Sequence, residues 1–317
     1  MKKFFQHTAY FIAYGIWWFL SLLPFWALYL LSDGLYLLMS HVVRYRHRVI
    51  WHNLRTSFPE KSEDELRQIE KNFYKWFCDY IVETVKLITM SKEQLLKRMT
   101  FTGVEKLNQY AAEGRSVGVY LGHLGNWEWI TSLPYWTQNA TCCQLYHPLE
   151  NEYFDRLFRY VRERNGAYCI PMQESLRKIL EFKKAKRPVI VGYISDQTPL
   201  WWNIHHWLTF LNHDTPVLTG AERIVKHLNQ VVMYGDMKRI KRGYYNCEMK
   251  VITEHPTQLK DFNITDSYFV QMEHSIRQQP GIYLWSHNRW KRTRKYFNEH
   301  FEHKNGKVYP KEVRKEM

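Results

Sequence analysis

The chain has 317 residues, a net charge of +14, 16% aromatic residues and 13 Trp, which suits one α/β catalytic domain with an appendage rather than several domains. Its five cysteines (Cys78, Cys142, Cys143, Cys169, Cys247) are odd in number and lack Cys-x2-Cys spacing, so neither a disulfide framework nor a zinc ribbon is indicated, and a reducing, cytoplasm-facing body fits best. Basic charge with abundant Trp and Tyr suits an anionic membrane surface and also a nucleic acid, so charge alone does not separate the two.

From Ala9 to Leu31 the chain runs 23 residues without a charge, which at roughly 1.5 Å per residue is enough to cross a hydrocarbon core. The apolar texture continues past Leu31 without a small-residue cleavage site, which predicts a retained anchor rather than a signal peptide. Lys2 and Lys3 precede the run and Arg44, Arg46 and Arg48 follow it, which places the body on the cytoplasmic side. Pro24 and Ser32-Asp33-Gly34 leave a kinked, re-entrant or in-plane helix open beside a full span. Residues 1–48 are therefore read as anchor and basic juxtamembrane segment.

Ser62, followed by Glu63 and Glu65, marks the start of a long amphipathic helix. Beyond Thr100, short apolar runs (SVGVYLG, ATCCQLY, PVIVGYI, QVVMYGD, YNCEMKVIT) alternate with helical patterns over Asn151–Asn165 and Ser175–Lys186. That alternation predicts an α/β fold over residues 49–302. The remainder, residues 303–317, is charged and read as a frayed tail. The adjacent His205 and His206 point apart and make a poor metal pair, so they are assigned to an aromatic surface loop with Trp201, Trp202 and Trp207.

The segment SVGVYLGHLGNWEW reads as a buried strand, a Gly-flanked turn and a helix start near Asn126. With His123 in the turn and Glu128 in the first helical turn, the two side chains can converge as a general base and the carboxylate that orients it. As a bare pattern His-x4-Glu is weak. A turn histidine bonded to backbone and a glutamate favouring a helix dipole explain it as well. A zinc site is disfavoured because helical His-x3-His spacing is missing.

Four further segments stand in order behind this turn: LYHPLENEYFDRLFRYVRERNG, VIVGYISDQTP, TFLNHDTPVLTG and PGIYLWSHNRWKRTR. Together with the turn they resemble the bacterial lipid A late acyltransferases of the lysophospholipid acyltransferase superfamily, over Lys3 to Arg294. His147, Asn212, Gly281 and Asn288 depart from residues common in that family, and they bear on the acceptor more than on the reaction.

The resemblance implies a glycerol-phosphate-acyltransferase-like mixed sheet flanked by helices, with an N-terminal membrane-anchoring helix. It also implies O-acyl transfer from acyl carrier protein, or acyl-CoA, to a hydroxyl of a lipid A precursor at the bacterial inner membrane, with the catalytic domain facing the cytoplasm. No cofactor or metal and no nucleic-acid partner is expected. His123 is then the general base and Glu128 its orienter. Arg164, with or without Arg162, contacts the oxyanion or a lipid phosphate. Asn126, Asp196 and Gln197 lie on the acceptor side, where the latter two brace the arginine or bind the acceptor's sugar. His287 and Arg289, within a basic-aromatic stretch, hold lipid phosphates or the acidic helix of a carrier protein. The competing readings are an acyltransferase for another glycolipid or aminolipid, such as a mannosylated phosphoinositide, and a non-catalytic membrane-surface binding protein.

Overall fold

The computed structural model describes residues 2–311, with only the backbone described for residues 2–9 and 12. In chain order the main elements are α1 (Lys2–Leu22), α2 (Phe25–Leu37), α3 (His47–Ser57), α4 (Glu63–Lys86), α5 (Lys92–Arg98), β1 (Met99–Thr102), α6 (Val104–Ala112), β2 (Val117–Leu121), β3 (Thr141–Tyr146), α7 (Glu152–Glu163) and β4 (Tyr168–Pro171). They continue as α8 (Ser175–Lys184), β5 (Val189–Ile194), β6 (His206–Phe210), β7 (His213–Val217), α9 (Gly220–Leu228), β8 (Val231–Lys241), β9 (Tyr244–Thr253), α10 (Asn263–Gln278), α11 (Arg294–His300), β10 (Phe301–Lys304) and β11 (Lys307–Pro310).

Seven strands form a mixed sheet in the order β1-β9-β8-β2-β5-β3-β4, in which β1 and β9 run opposite to the other five. The expected α/β fold with helices around a mixed sheet is thus present. The central strand β2 is buried along its whole length, which is why it reads as a continuous apolar run rather than an alternating one. α4 begins as the sequence indicates: Ser62 Oγ accepts from the Glu65 N–H while the Glu65 carboxylate accepts from the Ser62 N–H, and Phe73 and Trp76 on its inner face are fully buried.

The apolar run over Ala9–Leu31, for which a full span and a kinked, re-entrant or in-plane helix are both open in the sequence, forms two helices broken at Pro24, and among the described residues no single helix is long and apolar enough to cross a membrane. Proline has no N–H to continue the ladder and disfavours helix at the residue before it. The freed carbonyls are taken by α4 and the turn after it: Lys86 Nζ donates to Ser21 O (2.7 Å) and Leu23 O (2.9 Å), and Thr89 Oγ1 donates to Ser21 O (2.5 Å). The polar residues of the apolar run therefore face inward. Ser32 Oγ donates to buried Asp79 (2.7 Å), and Tyr29 OH donates to buried Glu83 (3.1 Å). Trp18, Phe19, Leu22, Trp26 and Leu30 face outward and are exposed.

The C-terminal segment also departs from expectation. β10 and β11 pair as an antiparallel hairpin, Val308 packs with Ile204 and Phe297, and His303 Nε2 lies 2.9 Å from Ile204 O. Apolar Val308 and Phe301 give this charged stretch a packed side, so the tail is ordered through Pro310; residues 312–317 of the expected tail lie outside the described residues. Of the strands that the sequence does not announce, β6 and β7 form a hairpin joined by Leu211 and Asn212 at positive φ (51° and 65°). A two-residue hairpin turn of this kind favours Asn or Gly, and Leu at the first position hid it.

Candidate active site

β2 and β5 are parallel neighbours, with Leu121 paired to Ile194 at their C-terminal ends. His123 and Asp196 each follow two residues beyond that pair, so equal offsets from a common register bring them side by side although 73 residues separate them. This is the end of a parallel sheet at which open α/β folds place their sites. The turn that carries His123 is clamped from both directions. Gly125 takes positive φ (59°) and donates its N–H to Ile282 O (2.9 Å), and Leu284 N–H donates to His123 O (3.1 Å). A Cβ on Gly125 would come within 2.5 Å of Met237 Cγ, so the position calls for glycine on both grounds.

Asp196, 1% exposed, receives the His123 backbone N–H at Oδ2 (3.2 Å) and the imidazole Nδ1 at Oδ1 (2.7 Å). Burial, the largest single influence, pushes its carboxyl up, but the His123 charge, the two hydrogen bonds from His123 and the Arg289 charge together hold it below the usual aspartate range. An ionised carboxylate only accepts, so Nδ1 carries a proton, and in the neutral ring it is Nε2 that presents the lone pair. Gln197 Nε2 lies 3.1 Å from that Nε2, and the Trp127 ring meets the imidazole edge-to-face at 5.0 Å between centroids.

The expected partner of His123 is elsewhere. Glu128 accepts two hydrogen bonds from Arg162, at Oε2 from Nε (2.9 Å) and at Oε1 from Nη2 (2.6 Å). Burial, the largest single influence, works to lower the guanidinium, but the Glu128 charge and hydrogen bonds, with smaller contributions from Cys169 and Tyr80, together hold Arg162 above its ordinary value. The structure thus replaces the His123–Glu128 pair with two pairs, His123–Asp196 and Glu128–Arg162. The physical reason is that Glu128 begins a 3-10 turn (Trp129–Tyr135) rather than an α-helix and faces α7, while the register of β2 and β5 delivers Asp196 to the imidazole.

Arg164 is not at the site. It closes the C-terminal end of α7 and its Nη1 donates to Leu87 O (2.6 Å) and Met90 O (3.2 Å), tying α7 to the turn after α4. Asn126 is fully buried and works as a brace, receiving the Trp129 N–H at Oδ1 (3.1 Å) and donating to Glu83 Oε2 (2.7 Å). His287 Nε2 accepts from the Thr198 N–H (3.4 Å), and burial pushes its pKa down to about 4, so the ring is neutral. Arg289 is 1% exposed and donates to Pro216 O of β7 (2.8 Å), which removes it from the lipid-facing surface expected of it. Burial lowers its pKa from the ordinary arginine value.

His123, Glu128, Arg162 and Gln197 line one cavity of about 670 Å3. Its floor is one face of the sheet, where period-two alternation puts Val119 and Leu121 on the same side as His123, and Ile190, Gly192 and Ile194 on the same side as one another. α7 supplies a wall through Asp155, Phe158 and Arg162 at helical spacing, and Trp17 of α1 packs edge-to-face on Phe158 (5.3 Å). A largely apolar cavity lined by a base and an amide can hold an alkyl chain and deprotonate a hydroxyl brought to the imidazole. The cysteines are all buried, and no cluster of metal-ligating side chains occurs among the described residues.

Sequence reasoning missed two parts of this arrangement. Asp196 was placed near the site but given to an arginine or a sugar, and the one signal for its actual partner was that both segments end apolar strands with the same two-residue offset. Glu83, which accepts from Asn126, Tyr245 OH (3.0 Å) and Tyr29 OH, gave no signal because nothing local in the long helix α4 separates its buried charges, Asp79, Glu83 and Lys86, from its solvent-facing ones.

Fold and site together define a mixed α/β domain with a histidine–carboxylate pair beside a largely apolar cavity. The model of the family described as bacterial lipid A biosynthesis acyltransferases matches residues 1–292, and the chain belongs to that family. It is 26% identical over 286 residues to a lipid A biosynthesis acyltransferase of Haemophilus influenzae (strain ATCC 51907 / DSM 11121 / KW20 / Rd), with 86% of each chain covered. The protein is an acyltransferase, which sets aside a purely binding role.

Proposed function

We propose that the protein transfers a fatty acyl chain from acyl carrier protein, or acyl-CoA, to a hydroxyl of a lipid A precursor. The observation that carries this reading is the His123–Asp196 pair, with His123 lining a largely apolar cavity, in a chain of this family. The cavity receives the acyl chain of the thioester, and the acceptor hydroxyl approaches His123 Nε2. The imidazole takes the hydroxyl proton as oxygen attacks the thioester carbonyl, and buried Asp196 stabilises the imidazolium through Nδ1–H. The sulfur leaves with that proton. Arg162, held by Glu128, forms part of the cavity wall.

The outward apolar face of α1 and α2 supports work at a membrane. Monomeric soluble proteins rarely leave so many large apolar side chains contiguous, and Trp26 (69%) and Leu30 (63%) sit one turn apart on this face. With the helix broken at Pro24, the segment lies along the bilayer surface, at the cytoplasmic face of the inner membrane, rather than crossing as one span. Deleting the gene and weighing lipid A by mass spectrometry tests the function: species one acyl chain lighter are expected, restored by the wild-type gene and not by His123→Ala. Unchanged lipid A refutes the acceptor.

A further inference from the structure

We infer that Gln197 is a catalytic residue: in the resting enzyme its amide caps the lone pair of the base, and when the acceptor hydroxyl displaces it, it donates to the oxyanion of the tetrahedral intermediate. The inference rests on His123 being the base, as proposed above. Because ionised Asp196 fixes the proton on Nδ1, the ring nitrogen 3.1 Å from the Gln197 amide is an acceptor, and the group facing it is the amide N–H. One in-plane lone pair takes one donor. A hydroxyl therefore cannot reach Nε2 until this amide moves.

The backbone beside it does not move with it, since Asp196 is anchored by the His123 N–H and ring. Side-chain torsions alone swing the amide, and the cavity that Gln197 lines gives it room. Its destination follows from what acyl transfer requires. A donor must meet the negative charge that develops on the carbonyl oxygen, next to the attacking hydroxyl. The arginine expected for this task is spent on Leu87 O and Met90 O, and Arg162 directs two donors at Glu128. Among the described residues, Gln197 is the only side chain besides Asp196 hydrogen-bonded to the His123 ring. Its amide is thus the donor already within reach of the reacting atoms.

In the step itself, the acceptor oxygen bonds to the thioester carbon as its proton passes to Nε2, and the carbonyl π electrons move onto oxygen, where the Gln197 N–H meets them. Collapse re-forms the carbonyl, breaks the carbon–sulfur bond and returns the proton from Nε2 to the departing sulfur. The products are an ester and a free thiol, and no further reactant is needed.

The test uses the full-length protein with acyl-thioester donor and lipid acceptor, comparing wild type with Gln197→Leu, Gln197→Glu and His123→Ala. Both Gln197 variants are expected to lose about a hundred- to a thousandfold in kcat, with KM for both substrates within about threefold. The acid limb of the kcat/KM profile should also rise, because the amide that competes with a proton for Nε2 is gone. It should rise furthest in Gln197→Glu, whose carboxylate favours the imidazolium and whose size preserves packing. Thermal unfolding midpoints matching wild type separate these effects from misfolding. A kcat within about threefold of wild type, a loss confined to KM, or an unmoved acid limb overturns the assignment. Full activity in His123→Ala sinks the base reading instead, whereas an inactive His123→Ala beside unaffected Gln197 variants sinks this assignment alone.

Discussion

Replacing Asp196 by Asn probes the arrangement most sharply because it changes one atom in a buried pair. The carboxylate accepts from both the His123 N–H and Nδ1, the latter at 2.7 Å, and is 1% exposed, so water cannot stand in for it. Losing a charge-assisted hydrogen bond to the imidazolium costs about 1.5–3 kcal/mol, or roughly ten- to a hundredfold in rate. The amide adds a second loss, because its N–H₂ end placed against Nδ1 selects the tautomer that protonates Nε2 and removes the base. In a serine-protease triad the equivalent change costs about 10⁴ in kcat. For Asp196→Asn we therefore expect kcat to fall by about 10²–10⁴, with donor and acceptor KM little changed, measured by transfer of labelled acyl chain from donor thioester to lipid acceptor. Near-wild-type activity in Asp196→Asn, beside an inactive Glu128→Gln that folds normally, would refute the reasoning and restore Glu128 as the orienter.

Glu83 is pushed from the ordinary 4.5 to about 7, first by burial and then by the like charge of Asp79, against donors from Asn126 and Tyr245 and the charge of Arg239. The folded state thus holds a proton between pH 4.5 and 7 that the unfolded chain has released, so this group's contribution declines as pH rises through that window, by about 3 kcal/mol. His213 and His287, held down to about 4, act in the opposite sense below pH 6.5, so the check is the difference in unfolding free energy between wild type and Glu83→Gln across pH 5 to 8, which should slope downward. Arg164→Ala should lower stability by about 1–3 kcal/mol with kcat nearly unchanged, since it frees the carbonyls of Leu87 and Met90 away from the cavity. Arg162→Ala strands buried Glu128 and should cost about 3–5 kcal/mol together with activity; chemical denaturation and kcat on the same samples distinguish the two arginines. Trp26→Glu combined with Leu30→Glu should reduce flotation with anionic phospholipid vesicles by about a hundredfold or more and leave unfolding unchanged, because both side chains are already in solvent.

Local physics was legible in the sequence wherever neighbours decide the outcome. The strands β2, β3, β5, β8 and β9 announce themselves as short apolar runs, α4 by its Ser62–Glu65 cap, and the turn at His123 by its flanking glycines. Those features, with the ordered segments that follow, were enough for the fold class, the family and the acyltransferase chemistry. Partners were not legible, because hydrogen-bond partners are chosen by register and packing between residues far apart in the chain. Only the alignment of β2 with β5 decides that His123 meets Asp196, and only the seating of α7 decides that Arg162 takes Glu128 while Arg164 turns to the end of α4. The same holds at the N-terminus. The composition of residues 9–31 shows an apolar segment, but it takes the inward pull of Lys86, Asp79 and Glu83 on Ser21, Ser32 and Tyr29 to fold that segment onto the body with its apolar side outward.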